Sequence, residues 1–343
     1  MPILLDSAPD HCLRIGLVNN MSDEALKATE CQFISLLDAA SGNRPVHLSF
    51  YTLPGVPRNG AISNYISSRY SHFEDLWHRH LDALIITGRE PVTENLADEP
   101  YWNSFTRMLA WAQENCNAAV FSCLAAHAAV LAMDGIRRVK ARTKVFGIFD
   151  STCAAKHPLT AGIKSRFRLP HSRWNGVAED QLAACGYKVL TRSADAGVDT
   201  FTKERNGKLF IFLQGHPEYE TDTLLREYRR DVGRYIKGES SRYPSIPKNY
   251  FDDCTAGLLA AFEERAIVRR SEEMLPELNV ILGNQKITNT WQRSATAIYS
   301  NLLNHLCAHE SPMLLPKGLN AMAESDPVSD ARYLAELSLE EAG

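Results

Sequence analysis

Short apolar runs alternate with helix-patterned stretches through the first 133 residues, and this alternation restricts the fold more than any other feature. LRIGLVNN (13–20), VHLSFYTL (46–53), LDALIITG (81–88) and AAVFSC (118–123) have the length and apolar density of buried strands. Between them, DEALKATECQFISLLDAA (23–40) sets Leu26, Phe33, Leu36 and Leu37 on one side of a helix. HFEDLWHRHL (72–81) suggests a second helix, YWNSFTRMLAWAQEN (101–115) a third and LAAHAAVLAM (124–133) a fourth. Strands this apolar need cover on both faces. The pattern therefore predicts βαβ units and an α/β fold, a mostly parallel open sheet flanked by helices.

The second half is less regular. TKVFGIFD (143–150) and FTKERNGKLFIFLQGHPEYE (201–220) read as strands, the latter a hairpin turning at Asn206-Gly207. TDTLLREYRRDVGRYIKG (221–238) is a strongly patterned helix, and SRYPSIPKNYF (241–251) is a proline-bearing link. The organisation expected is a main domain over 1–251 and a mostly helical C-terminal extension over 252–343.

Composition removes several function classes. A chain of 343 residues with 45% hydrophobic and 23% charged side chains is ordinary for a globular protein with a sizeable core. Its net charge of −4 gives no electrostatic case for nucleic acid or an anionic membrane. No apolar stretch approaches the ~20 residues of a membrane span, and MPILLDSAPDHC lacks the basic start of a secretory signal. The eight cysteines are scattered, with no C-x-x-C pair, so neither zinc nor a disulfide framework is indicated and a reducing cytoplasm is the simplest setting.

Cys123 stands where AAVFSC gives way to LAAHAAV, the carboxyl end of an expected strand, and ligands of open α/β sheets sit at such ends. On a sharp strand-to-helix turn its thiolate would be favoured by the helix N-terminus, and backbone N–H groups there could hold an oxyanion. From this segment alone, a buried structural cysteine is the better reading, because free cysteine is often fully buried. LFIFLQGHPEYE supplies what the nucleophile needs. His216 follows an apolar strand and a glycine, and Glu218, two residues on, points the same way in extended backbone and could orient the imidazole. Alone, that segment is also a surface turn. Together, the two loci favour a Cys-His-Glu triad.

Weaker signals carry bland alternatives. PHSRW (170–174) sets a hydroxyl beside a guanidinium, as an anion site or a solvated loop would. RRVKARTK (137–144) reads as a solvated face, EYRRD (227–231) as surface ion pairing, His127 as core or helix face, and Trp102, Trp111 and Trp291 as packing.

The ordered set LVNNM, ATECQF, DALIITG, DEPYW, FSCLAAHAA, PHSR, GHPEYE, EYRRD and NYF resembles the homoserine O-succinyltransferases, CoA-dependent acyltransferases of bacterial methionine biosynthesis. The resemblance covers about 13–251 and resumes at 290–307. It implies a class I glutamine amidotransferase-like fold, related to the flavodoxin type, with 290–307 packed back on the main domain. It also implies Cys123 as the acylated nucleophile, His216 as the general base and Glu218 as the carboxylate that orients it. Lys144, Ser172 and Arg230 match the substrate-contacting residues, and Val92 matches the position that sets acyl specificity. Lys27 is the nearest match to an oxyanion-holding lysine.

Acyl-CoA enters as co-substrate, with no resident cofactor or metal, the acceptor is homoserine or serine, and a homodimer is implied. Arg89, just after ITG, could pair with a succinyl carboxylate, whereas Val92 would narrow a pocket towards acetyl. The rivals are an acetyl-CoA-dependent transferase, a glutamine amidotransferase and a non-catalytic binding protein. The glutaminase pattern G-x-C-x-G is replaced here by Phe121 and Ala125 around Cys123.

Overall fold

The computed structural model of the protein describes residues 3–5, 11–283 and 285–309. The part of the expected extension beyond residue 309 lies outside them. In chain order the strands are β1 Ile3–Leu4, β2 Leu13–Val18, β3 Val46–Tyr51, β4 Ala83–Thr87, β5 Ala118–Ser122, β6 Val139–Cys153, β7 Arg166–Gly176, β8 Lys188–Val189, β9 Thr191–Ser193, β10 Gly197–Val198, β11 Thr200–Arg205 and β12 Lys208–Leu213. The helices are α1 Asp23–Ser41, α2 Gly60–Arg69, α3 Trp102–Asn115, α4 Leu124–Asp134, α5 Glu179–Ala184, α6 Thr223–Ile236, α7 Asp253–Val268, α8 Leu275–Gly283 and α9 Gln292–Ala308.

The expected open sheet is present. Eight strands run in the order β1-β3-β2-β4-β5-β12-β11-β8. Every pair from β1 to β12 is parallel, and β11 and β8 add an antiparallel edge. The β11–β12 hairpin turns at Asn206 and Gly207, both with positive φ (54° and 72°), the conformation that an Asn-Gly turn supplies at low cost. Two apolar layers cover the sheet. On one face Phe121, Phe201 and Phe212 stack at 4.9–5.3 Å beneath α3 and α4. On the other, Ile15, Leu17, Ile85 and Val120 meet α1 and α9. Truncating a buried ring such as Phe121 to alanine costs about 3–5 kcal/mol in cores of this kind.

A second, antiparallel sheet, β10-β9-β6-β7, stands beside the first. It departs from the sequence reading. TKVFGIFD is the middle of a 15-residue strand, and PHSRW, open in sequence to an anion site or a solvated loop, is part of its partner, with Phe146 opposite Ser172 and Ile148 opposite Pro170. This sheet packs Phe146, Ile148, Phe167 and Leu169 against Tyr228 and Val232 of α6, Leu259 and Phe262 of α7, and Trp291. Two further corrections concern helices. HFEDLWHRHL forms only a short 3-10 turn, Phe73–His78. The helix α2 was not anticipated. It is capped by Asn59, whose side chain accepts from Ile62 N, and buries no residue fully.

The described residues up to Ala308 form one compact unit. Within it α9 buries Ala295, Ile298, Tyr299, Leu302, Leu303 and Leu306, an i, i+3, i+4, i+7, i+8, i+11 spacing that lays one stripe on α1, with Tyr299 6.5 Å from Phe33 between ring centres. No helix among the described residues is long and apolar enough to cross a membrane.

Candidate active site

Cys123 sits at the carboxyl end of β5 and caps α4, with φ 52° and ψ −110°. A side chain in that region of backbone space costs of order 1–3 kcal/mol, and such strain is retained where surrounding contacts enforce it. Here they do. Cys123 N donates to Leu213 O at 2.7 Å, and Ala126 N returns to Cys123 O at 3.0 Å. The turn after β4 presses on the same point: a Cβ on Gly88 would lie 2.5 Å from Leu124 Cβ and 2.6 Å from Ala125 N. Glycine at 88 is thus a steric requirement, and Ala125 and Ala126 beside it are buried. The cysteine is recessed, with 9% of its surface exposed.

Strand β12 ends beside it, with Leu213 opposite Ser122, and carries the chain into Gly215-His216-Pro217-Glu218. His216 Nδ1 lies 2.8 Å from Glu218 Oε1, and Ser122 Oγ donates to that oxygen at 3.3 Å. His216 N donates to Pro170 O (2.8 Å), which fixes the loop to β7, and the Tyr219 ring stacks on the imidazole at 4.2 Å. The Nδ1 contact turns Nε2 towards the sulfur. Nε2 makes no hydrogen bond among the described residues, and Cys123 is the second of the groups that raise the ring's pKa. A contact between base and nucleophile is commonly loose in a free enzyme and tightens with substrate. Burial disfavours the imidazolium. Glu218, with the Cys123 side chain next in effect, outweighs burial and holds the His216 pKa well above the ordinary value.

Helix α6 and the second sheet close the site. Ser172 Oγ donates to Glu227 Oε2 (2.5 Å), Tyr219 Oη donates to Glu227 Oε1 (2.6 Å), and Lys144 Nζ pairs with Asp231 Oδ2 (3.0 Å) above the Phe146 ring. Arg230 makes two bonds to Asp231 Oδ1 (2.8 and 2.9 Å), and its side chain stays 45% exposed. Burial opposes ionisation of Asp231, but Lys144 and Arg230 overcome it and hold its pKa low. Lys144, Ser172 and Arg230 therefore converge on α6, and Tyr219 links their cluster to His216. EYRRD, read as surface pairing, supplies the anions Glu227 and Asp231 of this cluster.

Other expectations change. Strand alternation sends Ser172 and Arg173 to opposite faces, so PHSRW is no paired anion site. Arg173 turns inward and donates to the carbonyls of Asn175 (2.8 Å) and Ala196. Lys27 is exposed, its ammonium 4.4 Å from the Tyr65 ring, and Val92 is 67% exposed. His127 is core, as expected, and bonds Gln214. Trp291 is buried as packing, and its Nε1 also donates to Tyr219 O (2.8 Å). Sequence reasoning missed Tyr219, Glu227, Gln214, His171 and Asp199. The strand-end location of Gln214 and its neighbours was the one available signal.

The two buried histidines behind the site predict a pH dependence. Burial pushes the His127 imidazole down to about 4, and burial, with Arg173 and His216 nearby, puts His171 well below its ordinary value. Both would titrate near 6.5 when unfolded. Between about pH 6.5 and 4 the unfolded chain binds more protons, so stability falls on acidification by up to about 1.4 kcal/mol per pH unit for each group. His216 has the opposite shift, and its contribution is lost as pH rises above 6.5 through its raised pKa. Melting curves from pH 7 to 4.5 should show the acid slope, and His171→Gln should flatten it. An unchanged slope contradicts the assignment.

Fold and site together define an open-sheet α/β protein with a Cys-His-Glu arrangement at the carboxyl edge of its sheet. The family model described as homoserine O-succinyltransferase matches residues 8–313, and the chain belongs to that family. It is 42% identical to a homoserine O-succinyltransferase of Rhodopseudomonas palustris over 302 residues, 88% of this chain and 90% of the relative. It is 43% identical to that of Methylorubrum extorquens over 291 residues, 85% and 86% of the two chains. Among solved structures, a glutamine amidotransferase of Methylobacillus flagellatus matches with a TM-score of 0.48 at 13% identity, over 86% of this chain and 95% of that one.

Proposed function

We propose that the protein transfers a succinyl group from succinyl-CoA to the side-chain hydroxyl of homoserine, through a thioester on Cys123. The supporting observation is the recessed, strained Cys123 facing an imidazole that Glu218 holds at 2.8 Å. Cys123 thiolate attacks the thioester carbonyl, and the C–S bond to CoA breaks as His216 gives the departing sulfur a proton. Exchange of one thioester for another is nearly isoenergetic, which suits cysteine. Homoserine then enters. His216 takes the hydroxyl proton, the oxygen attacks the enzyme thioester, and Cys123 leaves as thiolate.

The first amides of α4, at Leu124 and Ala125, have no partner within the helix and point at the turn. They are the groups best placed for the oxyanion, whereas the Lys27 ammonium is exposed and lies over the Tyr65 ring. Arg230 takes the acceptor's carboxylate, and Glu227 is suited to its ammonium group. Acyl-CoA acts as co-substrate, and the scheme uses no resident cofactor or metal.

Arg89 is the candidate for the succinyl end. It follows Gly88, which touches the nucleophile's turn. It is half-buried, forms no ion pair among the described residues, and donates one long 3.4 Å bond to Glu90 O. A charge-assisted contact is worth roughly 1.5–3 kcal/mol, or about 10–150-fold. The test is steady-state kinetics with both acyl donors and both acceptors. Parallel double-reciprocal plots with succinyl-CoA and homoserine are expected. Arg89→Leu should lose about that factor in kcat/KM for succinyl-CoA and keep its rate with acetyl-CoA. Equal losses with both donors would remove Arg89 from this role. A wild-type preference for acetyl-CoA, for serine, or for glutamine hydrolysis would overturn the reading itself.

A further inference from the structure

Nucleophile and base hang from the ends of neighbouring strands, and one buried hydrogen bond joins the segments that carry them. His127 lies one helical turn beyond Cys123, and its N–H reaches Cys123 O at 3.4 Å. Gln214 lies two residues before His216. His127 Nε2 is 2.9 Å from Gln214 Oε1, and both residues are 1% exposed.

The direction of this bond can be assigned. Gln214 Nε2 donates to Val198 O at 2.6 Å, which turns the amide oxygen to the imidazole. Oxygen can only accept, so His127 carries its proton on Nε2. Its Nδ1 is then a bare lone pair, and the structure gives that buried atom no partner.

The same segment is gripped from a second side. Gln214 N donates to Asp199 O (2.9 Å), and Gly215 N donates to Asp199 Oδ1 (3.1 Å). Position 215 has no room for a side chain, since a Cβ there would lie 2.6 Å from Asp199 Oδ1 and 3.1 Å from the His171 ring. Asp199 thus sets the height of the loop, whereas His127 ties it sideways to the nucleophile's helix.

We infer that the His127–Gln214 hydrogen bond is a positioning latch that fixes the reach between the Cys123 sulfur and the His216 imidazole. Neither residue is placed to touch substrate, so both act through the pair they hold. The inference rests on reading Cys123 and His216 as nucleophile and base. The alternative is that His127 merely fills space.

Leucine fills comparable space without an N–H, and glutamine restores a donor at similar reach. Misplacement of about 1 Å in a catalytic pair can cost up to 10²-fold. His127→Leu is therefore expected to lower kcat, and the rate of Cys123 alkylation by iodoacetamide, by about 10–10²-fold, with both KM values within about twofold. His127→Gln should recover most of both rates, and Gln214→Met, which removes the acceptor, should repeat the leucine defect. Gln214→Met also serves if His127→Leu fails to fold. Wild-type rates in the leucine or methionine variant, or equal losses in the leucine and glutamine variants that follow their melting temperatures, would overturn the latch. Alkylation needs no acyl-CoA, so a failure of the acyl-transfer reading would show separately, as absent CoA release by the wild-type protein.

Discussion

Cys123→Ser is expected to reduce turnover with succinyl-CoA and homoserine by 10³-fold or more, on the order of losses seen when a catalytic nucleophile is replaced. The two side chains are near-isosteric, so the fold should hold. What changes is acidity. An imidazole can carry the proton of a thiol, whereas a serine hydroxyl placed on the same turn would have to be deprotonated at each attack. The strained conformation of residue 123 exists to present that side chain and remains in the variant. CoA release followed by a thiol reagent, with a melting curve alongside, measures both quantities. A variant with unchanged melting and more than about a tenth of wild-type turnover would show that the sulfur is not the attacking atom.

His216→Gln is expected to have the second-largest effect, about 10²–10⁴-fold on kcat, the usual range for general acid–base assistance. Glutamine can still bond Glu218 but moves no proton. A related variant tests the cause of the imidazole's behaviour. Burial works against its charge, and Glu218 is the first of the groups that overcome burial. In Glu218→Gln the His216 pKa should therefore fall, and the imidazolium signal in an NMR titration should disappear at lower pH than in the wild type. Full activity in His216→Gln, or a titration unmoved in Glu218→Gln, would mean that the ring at 216 does not serve Cys123.

The parallel sheet was legible because its strands are local apolar runs, each complete within six or fewer residues. The triad was legible for a related reason. A nucleophile and a base at strand ends fall on one edge of a parallel sheet, and the i, i+2 spacing of His216 and Glu218 gives their 2.8 Å contact directly. The second sheet was hidden by its edge strand. Pro170 suppresses a strand reading, but β7 is the last strand of its sheet, where a missing N–H is tolerated.

HFEDLWHRHL misled because Phe73 and Leu76, three apart, suit a 3-10 turn as well as a helix. Glu227 and Asp231 looked like solvated charges on an amphipathic helix. Only the non-local approach of Ser172 and Lys144 makes them part of a site. The same holds for His127 and Gln214, which are 87 residues apart in the chain.

The central claim is a covalent one and can be read by mass. The protein is incubated with succinyl-CoA and no acceptor, quenched in acid, digested and mapped. The account predicts one succinyl group, on the peptide that carries Cys123, which disappears when homoserine is added before the quench. A protein that makes succinylhomoserine at full rate while this peptide stays unmodified, or while the label sits on another residue, would contradict it.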